Sequence, residues 1–306
     1  MMHQSSGRWR LGLGLSLITV FLWGILPLAL TITLQALDVY TVVWFRFLIS
    51  FLLLGIYLFI QQKLPTLAEL RSTSWQLLLV ATIFLATNYF LFTQGLSLTA
   101  PANAEVIIQL SGVLLSCGGL VIFHERYTLY QWLGVAVLNL GFVLFFHAQL
   151  ANLITAKGQY LLGSALIVFA SIAWAIYALS QKQLLQSLTS AKIMLIIYGG
   201  CALLFTPLAK IKTIFTLDSF HFSILLFCAF NTLIAYGAFA ESLAHWQASR
   251  VSAVIALAPI ITLISVWLMS VTFPNIIPIE NISLTGIIGA LLVVSGSMSI
   301  ALGKSH

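Results

Sequence analysis

The chain has 306 residues, of which 61 % are apolar and 7 % charged, against about 45–50 % and about 25 % in an ordinary soluble domain. Thirteen basic and seven acidic residues are too few to solvate a surface of that size, which excludes a soluble globular protein. The net charge of +6 does not mark a nucleic-acid binder, because Lys and Arg are scattered singly and form no basic face.

Crossing about 30 Å of hydrocarbon takes about 20 helical residues. Ten nearly uncharged runs of about that length follow one another: 11–35, 40–60, 75–98, 101–123, 129–148, 159–181, 190–209, 222–242, 249–273 and 282–302. In lipid only helices or a closed barrel satisfy the backbone internally, and these runs are about twice as long as barrel strands. The fold class is therefore all-α, a polytopic membrane protein with ten transmembrane helices. The first run exceeds a signal-peptide core and no A-x-A-like site follows it, so it is expected to remain in the mature protein. The longest links, 61–74 and 210–221, carry turn-forming and charged residues and cannot hold a soluble domain. Cys117, Cys201 and Cys228 stand inside apolar runs without metal-ligand spacing and read as small core residues.

Ten crossings put both termini on one side. With that side inside, it collects Arg8, Arg10, Lys63, Arg71, Arg126, Lys182, Lys192, Arg250 and Lys304, while the outer side has Lys157, Lys210 and Lys212. The positive-inside rule then predicts cytoplasmic termini in a cell inner (plasma) membrane.

The second half repeats the first. At an offset of 155 residues Glu125 meets Glu280, Thr128 meets Ser283, Leu129 meets Leu284, Gly134 meets Gly289 and Gly141 meets Gly296. At an offset of 151, Gly12 meets Gly163 and Trp23 meets Trp174. Residues 1–150 and 151–306 thus read as two five-helix repeats, and because five is odd the second crosses in the opposite sense. Such inverted repeats place substrate sites at their mid-membrane interface. Within the repeated unit the Thr or Ser hydroxyl suits an N-cap, and the glycines suit close helix contact.

These features resemble the EamA-type transporters of the drug/metabolite transporter superfamily. The resemblance runs through Trp23 and Trp174, Phe45-Arg46-Phe47, Ala258-Pro259 and both E-x-x-[ST]-L-x4-G units. It implies two inverted repeats around a central cavity lined mainly by helices 1, 3, 4, 6, 8 and 9. Two departures stand out: helix 4 has Ser111 where helix 9 has Pro259, which bears on how helix 4 bends, and an extended link with Pro274 and Pro278 precedes Glu280.

Arg46 and Glu105 lie well inside helices, where a charge costs about 2.5–3.5 kcal/mol and is read as functional by default. Both sit about 6–9 Å along their helices from the outer face at about 1.5 Å per residue. They are expected either to form an ion pair or to face one cavity. Glu105, Gln109, Gly112 and Ser116 form a polar stripe on helix 4. Weaker faces are Ser16, Thr19 and Trp23 on helix 1, Ser164, Ser171 and Trp174 on helix 6, and Asn231, Ala235, Ala238 and Ser242 on helix 8; Asn88 and Gln94 add polarity to helix 3. Each polar residue has the alternative of an interhelical hydrogen bond. Trp23, Trp174, Tyr89 and Tyr177 lie mid-helix, whereas Trp9, Trp75, Trp132 and Trp246 suit the interfacial belts. Glu241 and Arg250 flank one inner turn and are expected to compensate each other.

The substrate-binding candidates are Arg46, Glu105, Gln109, Trp23, Trp174, Tyr177, Asn88 and Asn231; no catalytic residue, metal or cofactor is called. The function expected is secondary transport of a small metabolite by alternating access, first of all export of an amino acid or related compound, with a proton as a candidate coupling ion. Nucleotide-sugar or drug transport is the alternative within the superfamily. An intramembrane enzyme is the rival from another class, opposed by six histidines, His3, His124, His147, His221, His245 and His306, that all fall near helix ends or outside. No Gly-rich phosphate loop supports an ATP-driven pump. The lipid bilayer is the expected surrounding, nucleic acid is not a partner, and a monomer or homodimer is the expected state.

Overall fold

The computed structural model describes residues 6–122, 128–155, 158–273 and 283–302. Glu125, Arg126, Lys157, Glu280 and Lys304 lie outside the described residues. Every regular element among the described residues is helical: α1 (Trp9–Thr33), α2 (Val39–Ile60), α3 (Leu67–Ser72), α4 (Trp75–Leu96), α5 (Pro101–Ile108), α6 (Leu110–Ile122) and α7 (Leu129–Thr155) in the first half. The second half has α8 (Gly158–Leu184), α9 (Ser190–Phe205), a 3-10 turn at Ile211–Thr216, α10 (Ser219–His245), α11 (Ala248–Ile255), α12 (Ala258–Thr272) and α13 (Leu284–Leu302). Six apolar stretches are long enough to cross a membrane, and shorter apolar ones start at Pro101, Leu129, Ser190 and Leu284. In order they match the ten runs read from the sequence. The α3 helix is a surface element of the 61–74 link, started by a capping box between Thr66 and Glu69.

The helix starts follow local chemistry. Asp38 and Asp218 cap α2 and α10 with their carboxylates. Thr128 Oγ1 accepts from Gln131 N at 3.4 Å, and Ser283 Oγ from Gly286 N at 3.1 Å, so both copies of the repeated hydroxyl cap a first turn as predicted.

Most helix contacts recur when each element is exchanged for its counterpart in the other half, the main exceptions being that α11 packs on α13 and α1 on α5 without an equally extensive counterpart. α1 lies against α10 as α8 lies against α4; α1 meets α12 as α8 meets α6; α2 meets α10 as α9 meets α4; and α2 with α9 and α7 with α13 pair with their own counterparts. The α7–α13 crossing is backbone on backbone: a Cβ on Gly134 would stand 2.7 Å from the Gly296 carbonyl oxygen, and one on Gly141 the same distance from that of Gly289. Gly95 and Gly163 bring α4 and α8 together in the same way, at 2.7 and 2.8 Å from each other's carbonyl oxygen. At the 151 offset their counterparts are Trp246 and Gly12, and there the close contact is between Gly12 and the Trp246 side chain. Trp246 is thus a buried packing residue rather than a belt tryptophan, whereas Trp9, Trp75 and Trp132 are exposed. Cys201 and Cys228 are buried as expected, but Cys117 is exposed on the helix surface.

Two runs are broken in mid-course. Gln109 N donates to the Val106 carbonyl and Gly112 N to that of Gln109, one residue short of the α-helical pattern. At an offset of 148, Leu257 N donates to Val254 O and Ile260 N to Leu257 O. Helix 4 therefore breaks where helix 9 does although it has Ser111 in place of Pro259. Proline alone does not cause the break, and the departure noted in the sequence leaves the symmetry intact.

We call the face at which α1 begins the terminal face. There Ser190 Oγ donates to Glu241, His245 Nε2 lies 3.2 Å from Glu241 Oε1, and Ser6 Oγ lies 2.7 Å from His245 Nδ1. Glu241 is thus held by Ser190 and His245. Lys192 on α9 reaches Glu69 on α3 at 2.6 Å, joining the two halves. The Lys192 ammonium, helped by the Thr66 backbone N–H and hydroxyl, holds the Glu69 carboxyl down at about 2.

Two expectations follow. Gly296→Ala places a methyl 2.6 Å from the Gly134 carbonyl oxygen, and an overpacked crossing should cost about 1–3 kcal/mol, read as a lower melting temperature in detergent. Because the Glu69 carboxyl is depressed, its contribution to stability is complete above the ordinary value of 4.5 and disappears as pH falls toward about 2. The melting-temperature gap between wild type and Glu69→Gln should therefore close across that window and stay constant above it.

Candidate functional site

A small, partly open cavity lies in the half of the bundle away from the terminal face. Its wall combines Trp23 and Pro27 of α1, Arg46 of α2, Asn88, Tyr89 and Thr93 of α4, Glu105 of α5, Gln109 at the break, Trp174 of α8 and Tyr236 of α10. The first eight residues of helix 4 form the separate half-helix α5, which carries Glu105 into the bundle; seven of the eight are buried.

Arg46 and Glu105 face this one cavity, and among the described residues no ion pair joins them. Arg46 Nε donates to Thr232 Oγ1 at 2.9 Å, and the guanidinium carbon lies 4.5 Å from the centre of the Tyr89 ring. The bond and the cation–π contact fix the plane of the guanidinium while its two terminal nitrogens remain to face a ligand. Gln109 Nε2 donates to Glu105 Oε1 at 3.1 Å. The break at Gln109 thus presents one amide to the carboxylate beside it. Trp23 packs edge-on against Trp174 at 5.6 Å and Tyr236 at 4.9 Å, forming an aromatic floor. Among the described residues, Trp23 Nε1 and Thr93 Oγ1 are buried without a hydrogen-bond partner. The cavity wall therefore carries unfilled polar capacity as well as aromatic area.

Six of the eight predicted site residues, Arg46, Glu105, Gln109, Trp23, Trp174 and Asn88, line the cavity. Asn88 also donates to the Ala170 carbonyl at 3.0 Å, so it ties α4 to α8. Tyr177 and Asn231 do not line it. Tyr177 lies one turn deeper, fully buried, with its hydroxyl 3.4 Å from Met194 Sδ. Asn231 turns to α1 and donates to the Leu22 carbonyl at 2.6 Å.

The small polar faces of helices 1, 6 and 8 are likewise mostly interhelical bonds. Thr19 donates to the Ala235 carbonyl and Ser171 to that of Ile107, while Ser164 accepts from Asn103. On α10 the residue that lines the cavity is instead Tyr236, and Thr232 one turn before it holds Arg46. Tyr236, Thr93 and Ser111 were missed; Tyr236 shows the same signal as Tyr89, a tyrosine far from either helix end. Among the described residues, no cluster of three metal-ligating side chains occurs.

A closed helical bundle with a charged, aromatic cavity between two exchange-related halves has the construction of a membrane transporter. The comparisons agree. The model of the EamA-like transporter family matches residues 10–147 and again 161–302, so the chain belongs to that family. It is 37 % identical over 303 residues to the "Uncharacterized inner membrane transporter YhbE" of Escherichia coli strain K12, covering 99 % of this chain and 94 % of that protein. It is 33 % identical over 293 residues to an "Uncharacterized transporter" of Haemophilus influenzae, covering 96 % of this chain and 95 % of that one. A solved crystal structure of a protein with 16 % sequence identity superposes with a TM-score of 0.69 over 96 % of this chain and 98 % of its own, which shows the shared fold. The relatives are named as transporters, not as enzymes.

Thr232→Val keeps the shape beside Arg46 and removes the acceptor of its Nε. Loss of a hydrogen bond to a buried charge should lower stability by about 1.5–3 kcal/mol, measured as the shift in melting temperature of the purified protein.

Proposed function

We propose that this membrane transporter exports an amino acid or a closely related zwitterion across the inner membrane by alternating access, with both termini cytoplasmic. The observation that carries the reading is that Arg46 and Glu105 share one cavity without neutralising each other. A guanidinium fork takes a carboxylate through two parallel hydrogen bonds. A carboxylate beside an amide takes an ammonium group. The Trp23, Trp174 and Tyr236 rings supply the apolar contact for the side chain of such a substrate. The two five-helix repeats in this reading divide near residue 150, and the nine-to-three excess of basic residues on the terminal side supports its cytoplasmic placement.

Nucleotide sugars and phosphorylated sugars fit less well, because Arg46 is the single basic residue in the described wall of the cavity. When a substrate carboxylate occupies Arg46 and its ammonium occupies Glu105, a proton competes for the same carboxylate. Transport is then linked to pH through the different affinities of the two states.

Counterflow in proteoliposomes loaded with candidate metabolites tests this directly. Arg46→Ala should weaken binding of carboxylate-bearing substrates by about 2 kcal/mol or more, roughly a 30-fold loss of affinity. Glu105→Gln keeps the shape and removes the titrating group, so its counterflow should lose pH dependence between about pH 5.5 and 8. Wild-type affinities and pH profiles in both variants would overturn the reading and leave the two charges as structural groups.

A further inference from the structure

Gln181 is buried completely, and neither its amide oxygen nor its amide nitrogen has a hydrogen-bond partner among the described residues. Such a group is costly in a bundle where most other buried polar side chains are paired. Its position is specific. Trp174 lines the cavity, and seven residues later on α8 the helix has turned almost two full turns, so Gln181 projects from the same face about 10 Å closer to the terminal face. Tyr177 lies between them on that face, also outside the cavity.

Exchange of the halves gives this stripe a meaning. At the 151 offset Trp174, Tyr177 and Gln181 correspond to Trp23, Leu26 and Leu30 of α1. Trp23 and Leu26 line the observed cavity, with Leu30 one turn beyond it in the direction away from the terminal face. When the halves exchange conformations, the cavity is lined by Trp174 and Tyr177, and Gln181 stands at its terminal-side rim.

We propose that Gln181 is a second substrate-contact residue, buried and unpaired in the observed state and exposed to the passage when the protein opens to its terminal face. Its amide offers one donor pair and one acceptor, which suits the carboxylate and ammonium groups of a zwitterion leaving or reaching the deeper site. The inference rests on the alternating-access reading above, and it also accounts for Tyr177, which the sequence places with the site and the observed state does not.

Cysteine labelling tests it without a known substrate. In a Cys117→Ser background, Gln181→Cys and Ser111→Cys are exposed to a membrane-impermeant cationic methanethiosulfonate reagent from either side of sealed vesicles. An epitope at the chain's start reports which side is the terminal one. Gln181→Cys should gain label from the terminal side alone, and Ser111→Cys from the opposite side. Label on Gln181→Cys from neither side, or from the opposite side, overturns the proposal while the cavity stands. If Ser111→Cys takes no label from the opposite side, the cavity reading fails and the proposal with it. Gln181→Leu removes the unpaired amide and should raise the melting temperature in detergent by about 2–4 °C. A lower melting temperature would make Gln181 a structural residue and overturn the proposal independently.

Discussion

Lipid offers the helices neither hydrogen-bond partners nor a hydrophobic drive to associate, so the bundle must hold together by close backbone contact and by side chains that bond to carbonyls of other helices. Those bonds run predominantly from one half to the other. Thr19 reaches Ala235, Asn88 reaches Ala170, Asn231 reaches Leu22, Thr262 reaches Gly24 and Gln131 reaches Ile300. The glycine crossings of α7 with α13 and of α4 with α8 do the same. The halves are interleaved rather than set side by side, and neither could shift as a whole without breaking most of these bonds at once.

The interleaving gives the two helix breaks their importance. At Gln109 and at Leu257 the same pair of shortened hydrogen bonds recurs, though only the second copy has a proline. Side chains of the opposite half engage carbonyls beside the first break: Ser171 donates to Ile107 O, and Ser252 donates to Gly112 O at 2.7 Å. A hydroxyl that inserts into the helical ladder is an established cause of bending. The first break thus coincides with tertiary contacts that its own sequence does not contain, and it leaves α5 and α11 as short segments distinct from the helices that follow them.

This explains which parts of the molecule were legible in the sequence. The spans, the capping hydroxyls Thr128 and Ser283 and the close-packing role of the repeated glycines depend on local spacing and on one offset and are legible there, whereas which glycines meet across a crossing is not. Arg46 and Glu105 are legible as a pair at one depth, bonded or facing one cavity, because depth along a helix can be counted from the chain. The direction in which a small polar stripe faces cannot be counted in that way. Asn231, Ala235, Ala238 and Ser242 look like a wet face, but small residues also permit close packing, and on α10 that is what their stripe does against α1. Tyr236, on the neighbouring face, reaches the cavity instead, beside the Thr232 hydroxyl that holds Arg46. Tyr177 lies outside the observed cavity because periodicity gives the face of a helix but not the depth at which a cavity ends.

The scaffold is largely symmetric but its lining is not. At the 148 offset Glu105 corresponds to Ala253 and Gln109 to Leu257, and at the 151 offset Gln181 corresponds to Leu30. Exchange of the two halves therefore replaces a carboxylate and an amide by apolar side chains on one side of the pathway, and adds a single amide on the other. Under the mechanism proposed here, the strong electrostatic contacts belong to the state open away from the terminal face, and the opposite state holds the same substrate through aromatic packing and one neutral group. A ligand shifts a conformational equilibrium only by its difference in affinity for the two states. The repeat supplies two similar shapes, and under that proposal the loss of equivalence at these few positions is what would let a bound zwitterion or proton favour one over the other.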